Sequence, residues 1–163
     1  MAIVVEFCNW LVRTPASVTI QSEPWIIPAV QTVHILCIAI VVTYNGMLDL
    51  RLMGVAGKSR TIAEMTGDFM PWIGWALVVL ALTGVIMIIG EPARELTNWV
   101  FWVKMSLLAA AIALTLYLRR VVRRDAGHWD GRRNSARVFA AVSLVLWVSI
   151  LTAGRWIAYV QHG

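Results

Sequence analysis

Residues 26–48 read IIPAVQTVHILCIAIVVTYNGML, an uninterrupted run without Asp, Glu, Lys or Arg that contains one histidine, His34. At 1.5 Å per residue, a helix of this length reaches roughly 34 Å, against a hydrocarbon core of about 30 Å. The run therefore predicts a membrane-spanning helix that carries a titratable side chain inside the bilayer.

Polar residues in this run recur at steps of three or four residues, which places them on one face of the predicted helix. An unpaired polar group that faces lipid is costly, so this face should point into the protein. The positions on the face are Gln31, His34, Cys37 or Ile38, Val41 and Asn45.

The composition is that of a membrane protein. Of 163 residues, 60% are hydrophobic and only 14% are charged, whereas about 25% charged residues are usual in soluble domains. We therefore predict one small membrane domain over residues 1–163. The net charge of +5 comes from basic residues gathered on one side, so nucleic acid is not an expected partner. Cys8 and Cys37 give no support for a disulfide.

Three further apolar runs predict spans over about residues 69–90, 99–118 and 138–160, the last two broken only by Lys104 and Arg155. Four spans joined by short loops predict an all-α integral membrane protein, a four-helix up-down bundle. Residues 1–14 place apolar side chains on one helical face and predict an N-terminal amphipathic interfacial helix. We expect a polar linker over residues 16–23 and a short helical stretch over residues 60–65.

Basic residues are concentrated in the two loops on one side of the predicted bundle. By the positive-inside rule these loops are cytoplasmic, so both termini are expected in the periplasm and the protein in a bacterial inner membrane. Tryptophans at the opposite helix ends fit interfacial anchors. The basic residues are Arg51, Lys58, Arg60, Arg119, Arg120, Arg123, Arg124, Arg132, Arg133 and Arg137.

Three spans carry an ionisable residue, and the predicted orientation places all three in the outer half of the bilayer. His34, Lys104 and Arg155 lie about 12, 9 and 8 Å from the outer helix ends. We therefore predict a polar pocket below the periplasmic surface that these residues line. Further candidates for this pocket are Gln31, Thr152 and Glu91.

Each of these residues also has a structural interpretation. Lys104 and Arg155 are close enough to the interface to extend their charged ends into water. His34 fits either a hydrogen bond between helices or a ligand of haem or another metal. The positive charges beside it suit an anionic group, such as a haem propionate, a quinone oxygen or a lipid phosphate.

Short phrases along nearly the whole chain resemble one family of uncharacterised four-helix bacterial inner-membrane proteins. In that family an acidic residue often stands three positions before the histidine, where this chain has Gln31. The resemblance implies the fold and the choice of site residues, and no activity. The phrases are Trp25-Ile26-Ile27-Pro28 followed by His34, Leu48-Asp49-Leu50-Arg51-Leu52-Met53-Gly54, Pro71-Trp72, Leu82-Thr83-Gly84, Phe101-Trp102-Val103-Lys104, Leu146-Trp147 and Gly154-Arg155-Trp156-Ile157-Ala158-Tyr159.

His34 in an early span, and Trp99 or Trp102 with Lys104 at the start of a later one, also resemble two other membrane families. These are the haem b protoporphyrinogen oxidases and the copper-resistance membrane proteins. This resemblance implies a haem b with His34 as its metal ligand.

Two functions from different classes follow. The first is a non-catalytic subunit or ligand-binding module, whose pocket holds a quinone, a lipid or a small anion, or which supports a larger membrane complex or a homo-oligomer. The alternative is a single-haem b-type redox protein with His34 as ligand and Lys104 or Arg155 beside the propionates. A transporter is a third class, for which four spans are few unless the chain oligomerises. Whether the protein is an enzyme stays open.

Overall fold

The structure is a computed structural model that describes residues 2–57, 59–129 and 133–157, and in these ranges every regular element is a helix. Four of the helices, α3, α4, α6 and α7, are long and apolar enough to cross a membrane. The predicted all-α membrane bundle is therefore confirmed. In chain order the helices are α1 (Ala2–Val12), α2 (Pro15–Ser22), α3 (Ile26–Met53), α4 (Ile62–Gly90), α5 (Pro92–Leu96), α6 (Trp99–Arg124) and α7 (Arg133–Trp156).

The four long helices form a square in cross-section. Helix α3 packs against α4 and α7, and α6 packs against α7 and α4, so α3 and α6 face each other across the diagonal. Each helix runs opposite to its neighbours, as the up-down prediction required. At one end, called the basic end below, α3 and α6 end and α4 and α7 begin. Residues 158–160, the predicted end of the fourth span, lie outside the described ranges.

All four long helices continue beyond the predicted spans at the basic end. Helix α3 ends at Met53 and is capped by Gly54, whose φ of +74° is a conformation that glycine adopts without a Cβ penalty. Helix α4 begins with a capping box, in which the Thr61 hydroxyl accepts from the Glu64 N–H and the Glu64 carboxylate accepts from the Thr61 N–H. The short helix predicted over residues 60–65 is thus the first turn of α4.

The prediction of a linker over residues 16–23 was wrong, because most of this segment is helix α2. Thr14 caps its first turn and Pro15 occupies the first helical position, where a missing N–H costs nothing. Two side chains then tie α2 to the end of α4. Ser17 donates to the carbonyl of Ile89 at 2.7 Å, and Gln21 donates to that of Gly90 at 2.9 Å.

The predicted N-terminal helix is present as α1. Its apolar residues Ile3, Phe7 and Trp10 are exposed, as expected of a helix that rests on lipid. Cys8, on the other side of α1, is buried, and α1 packs against α5. Helices α1, α2 and α5 therefore all gather at the end of the bundle opposite the basic end.

Candidate functional site

His34 is tied to the neighbouring helix α4 by a hydrogen bond. Its Nδ1 lies 2.7 Å from the hydroxyl of Thr83, and that hydroxyl lies 2.8 Å from the carbonyl of Val79. Both contacts are satisfied when the hydroxyl donates its single hydrogen to the Val79 carbonyl, which can only accept, and accepts from Nδ1–H. The neutral ring then carries its lone pair on Nε2, outside this bond.

Gly84, next to Thr83, makes room for the imidazole ring. A Cβ at Gly84 would lie 3.8 Å from Cε1 of His34, so the ring rests directly against the α4 backbone. The side chain is half-buried, and Thr83 is buried. The imidazole is therefore held in one orientation while remaining partly accessible.

Lys104 lies within the range of electrostatic interaction with His34. Its ammonium group interacts electrostatically with His34 and with Glu95. The Lys104 stem passes beside α7, since a Cβ at Gly154 would lie 3.9 Å from Lys104 Cε. We call the group formed by His34, Thr83, Glu95 and Lys104 the His34 layer.

Glu95, on the short helix α5, belongs to this layer. It was not among the site residues predicted from the sequence. Burial raises the pKa of its carboxyl group above the ordinary value, against the opposing attraction of Lys104 and Arg94. The predicted carboxylate on this side was Glu91. Glu91 is exposed and pairs with Arg94 at 2.6 Å. The sequence carried no signal for this choice, because residues four positions apart share one face of a helix.

The other three predicted site residues lie on the outside of the bundle. Gln31, Thr152 and Arg155 are all exposed, and the Thr152 hydroxyl donates to the carbonyl of Val148 within its own helix. The structure thus brings His34 and Lys104 together, and it leaves Gln31, Thr152 and Arg155 on the surface that faces lipid or a partner.

A second polar cluster, which we call the Asp49 layer, lies nearer the basic end. All of its side chains are almost completely buried, and they come from all four long helices. Relative to the ordinary composition of an apolar bundle interior, this concentration of hydroxyl, amide and carboxyl groups is unusual. Its members are Asn45, Asp49, Thr66, Thr115 and Ser143.

Hydrogen bonds connect the Asp49 layer across the bundle. The Thr115 hydroxyl donates to Oδ1 of Asn45 at 3.1 Å, which joins the diagonal helices α3 and α6. The side chain of Ser143 on α7 interacts with the carboxyl group of Asp49 on α3. Oδ2 of Asp49 and the hydroxyl of Thr66 have no hydrogen-bond partner in the described part of the chain.

Asp49 is enclosed by protein and not by lipid. Asp68 and Arg119, at a similar height on α4 and α6, are exposed charges, which marks this height as close to the membrane boundary.

The polar face of α3 that was predicted from the sequence ended at Asn45. One further step of four residues reaches Asp49, so the same periodicity would have found it.

The fold and the two polar layers together define a small multi-pass membrane bundle with titratable groups inside it. The chain belongs to the Family of unknown function (DUF6644), whose model matches residues 26–160. The predicted membership of an uncharacterised family is thereby confirmed, whereas the likeness to haem b and copper-resistance proteins stays a prediction. Searches of curated proteins and of solved structures returned no match.

Proposed function

We propose that this protein is a ligand-binding module of a bacterial inner membrane, and that the His34 layer binds the oxygen-bearing head of a lipid-soluble molecule. The observation that carries the proposal is the hydrogen bonding of the His34 ring. Its Nδ1 is fixed by Thr83, which leaves Nε2 available beside the Lys104 ammonium.

The chemistry of these groups favours a quinone or quinol. In the neutral ring, Nε2 accepts a hydrogen bond from a quinol hydroxyl, and the Lys104 ammonium donates to a quinone carbonyl. His34 and Lys104 are both half-buried, so a molecule dissolved in the bilayer can approach them from the side. A strictly water-soluble anion would have to cross about 10 Å of membrane to reach this height.

We propose that the His34 layer faces the periplasm, because the arginine-rich loops lie at the other end of the bundle and such loops stay in the cytoplasm. Reporter fusions test this directly. A fusion within residues 120–135 should report a cytoplasmic location, and a fusion at the C-terminus should report a periplasmic one. The reverse pattern would move the His34 layer to the cytoplasmic side.

Quinone binding is tested with purified protein in mild detergent, titrated with a short-chain ubiquinone analogue while tryptophan fluorescence is recorded. We expect His34→Ala and Thr83→Val to weaken binding about tenfold, the loss of roughly one hydrogen bond. Thr32→Val is the matched control for Thr83→Val. Its hydroxyl also donates to a carbonyl four residues earlier, at 2.8 Å, but it is exposed on α3. Equal affinities in all variants would reject the His34 layer as the quinone site.

One observation favours the alternative, a b-type haem. Histidines that ligate metals usually donate their other ring N–H to a fixed acceptor, and Thr83 is in that position for His34. Lys104 would then pair with a propionate, and a haem would supply one-electron chemistry. Within the described ranges, the four long helices contain one histidine, so these helices supply one histidine ligand per chain.

A visible absorption spectrum distinguishes the two functions. Haem would give a Soret band in protein made with an adequate haem supply, and this band would shift on reduction with dithionite and be lost in His34→Ala. Correctly folded protein with no visible band, and with the quinone affinity described above, would reject the haem alternative.

A further inference from the structure

A separate cavity of about 260 Å³ lies at the basic end of the bundle. Its walls come from the end of α3, the start of α4, the segment after α6 and the start of α7. Pockets for drug-sized ligands have volumes of about 300 to 1,000 Å³, so this cavity fits a small headgroup better than a whole cofactor.

The lining of this cavity combines positively charged and apolar side chains. Arg51 and Arg133 both contribute, and the described lining residues include no carboxylate. Arg51 is already positioned, since its Nε donates to the carbonyl of Arg60 at 2.7 Å, which leaves its terminal nitrogens for other partners. The apolar contribution comes from Leu52, Met53, Ile62 and Ala136.

Trp129 adds a buried hydrogen-bond donor without an acceptor. Its side chain is only 7% exposed and lines the cavity, and its indole Nε1–H has no hydrogen-bond partner in the described structure. The ring itself is fixed by edge contact with His128 and by packing on Phe139. Buried indole N–H groups usually find a partner, so an acceptor at this position would remove an energetic cost.

We propose that this cavity binds the phosphate headgroup of an anionic phospholipid. Arginine guanidinium groups form strong charge-assisted hydrogen bonds with phosphate oxygens, and the Trp129 N–H supplies a neutral donor. The apolar wall contacts the glycerol and the first methylene groups. Basic pockets between membrane helices near the cytoplasmic surface are typical sites for anionic lipid headgroups. This site is independent of the His34 layer and of its ligand.

Native mass spectrometry of delipidated protein, with phosphatidylglycerol added in neutral detergent, tests this proposal. The double variant Arg51→Gln/Arg133→Gln should weaken retention about fivefold for each arginine. Its matched control, Arg119→Gln/Arg137→Gln, removes two exposed charges outside the cavity and should retain lipid like the unmodified protein.

A second pair of variants tests the cavity without altering any charge. Trp129→Phe keeps an aromatic ring and removes only the donor, so we expect about fivefold weaker retention. Trp147→Phe is the control, because Trp147 is equally buried with an unpartnered Nε1 but packs in the apolar centre of the bundle. This pair remains informative if loss of Arg51 disturbs the loop after α3.

Three outcomes would overturn the proposal. Equal losses in the two arginine double variants would indicate diffuse attraction of lipid to a basic surface. Equal retention by Trp129→Phe and Trp147→Phe would remove Trp129 from the site. Displacement of phosphatidylglycerol by millimolar glycerol 3-phosphate would assign the cavity to a soluble phosphate ester instead of a lipid.

Discussion

The His34 layer and the Asp49 layer are both polar, yet they differ in how completely the bundle encloses them. They lie about 22 Å apart along α3. In the His34 layer, the side chains of His34 and Lys104 are half-buried. In the Asp49 layer, Asn45 and Asp49 are 3% and 2% exposed. Between them lies a close-packed apolar section that contains Cys37, Val41, Ala76, Ala111, Trp147 and Ile150.

This difference indicates a division of roles. Hydrogen bonds of the Asp49 layer join helices, so their loss should reduce the stability of the bundle. The His34 layer leaves Nε2 and an ammonium group within reach of the bilayer, so changes there should affect ligand binding more than folding. Measuring stability and binding on the same variants separates these roles.

The largest effect on stability is expected from Asp49→Ala. This change removes the buried carboxyl group with which the Ser143 side chain interacts, and should cost about 2 kcal/mol of unfolding free energy. Asp49→Asn keeps an acceptor oxygen and most of the volume, and should stay within about 1 kcal/mol of the unmodified protein. Unfolding by SDS from detergent micelles provides the measurement. Equal losses in both variants would mean that the carboxylate charge itself is required.

A smaller effect is expected for the hydrogen bond between α3 and α6. Thr115→Val removes the donor to Asn45 and should cost about 1 kcal/mol, and a double-mutant cycle with Asn45→Ala should give a coupling energy of about 0.6 kcal/mol. Ser106→Ala is the control on the same helix, because the Ser106 hydroxyl is exposed and bonds to its own backbone. Coupling near zero would contradict a cross-bundle bond.

Thr83→Val should affect quinone binding more than it affects stability. It leaves the His34 N–H without an acceptor and should cost only about 0.6 kcal/mol of stability, because the ring is half-buried. Its effect on quinone affinity should be larger than its effect on unfolding. A variant that unfolds readily yet still binds quinone with full affinity would show that Thr83 supports the fold alone.

The smallest effect concerns the pH dependence of stability through Glu95. Since burial raises the pKa of Glu95, the folded state binds this proton more tightly than the unfolded state does. Stability therefore decreases as the pH rises above the ordinary glutamate pKa of about 4.3. Glu95→Gln should remove this decrease, which solvent screening keeps small. Thermal unfolding across this pH range, with exposed Glu6→Gln as control, measures it; parallel profiles would contradict the burial of Glu95.

The apolar runs were sufficient to predict the four spans, because bilayer thickness sets a minimum length for each. They could not predict the helical extensions at the basic end. There, local capping by Thr61 and Gly54 carries the helices into charged sequence. Helix α2 was missed because its composition is polar, although Thr14 and Pro15 formed a recognisable start signal.

For the candidate site, the sequence predicts how deep each residue lies in the membrane, but it does not predict which way its side chain points around the helix. Counting residues from the helix ends predicted Lys104 at the height of His34, and the two side chains interact electrostatically. The same count placed Arg155 and Thr152 at this height, but both are exposed on α7. Which face of a helix points into the bundle depends on the helices packed against it. Asp49 was missed because it is the first charged residue after the apolar run.

The most direct test of the division between the two layers is the dissociation constant of the ubiquinone analogue, measured side by side for His34→Ala and Asp49→Asn. We predict affinity about tenfold weaker for His34→Ala, and affinity unchanged for Asp49→Asn. Unchanged affinity in His34→Ala together with weakened affinity in Asp49→Asn would contradict the proposal, and would place the ligand site in the Asp49 layer.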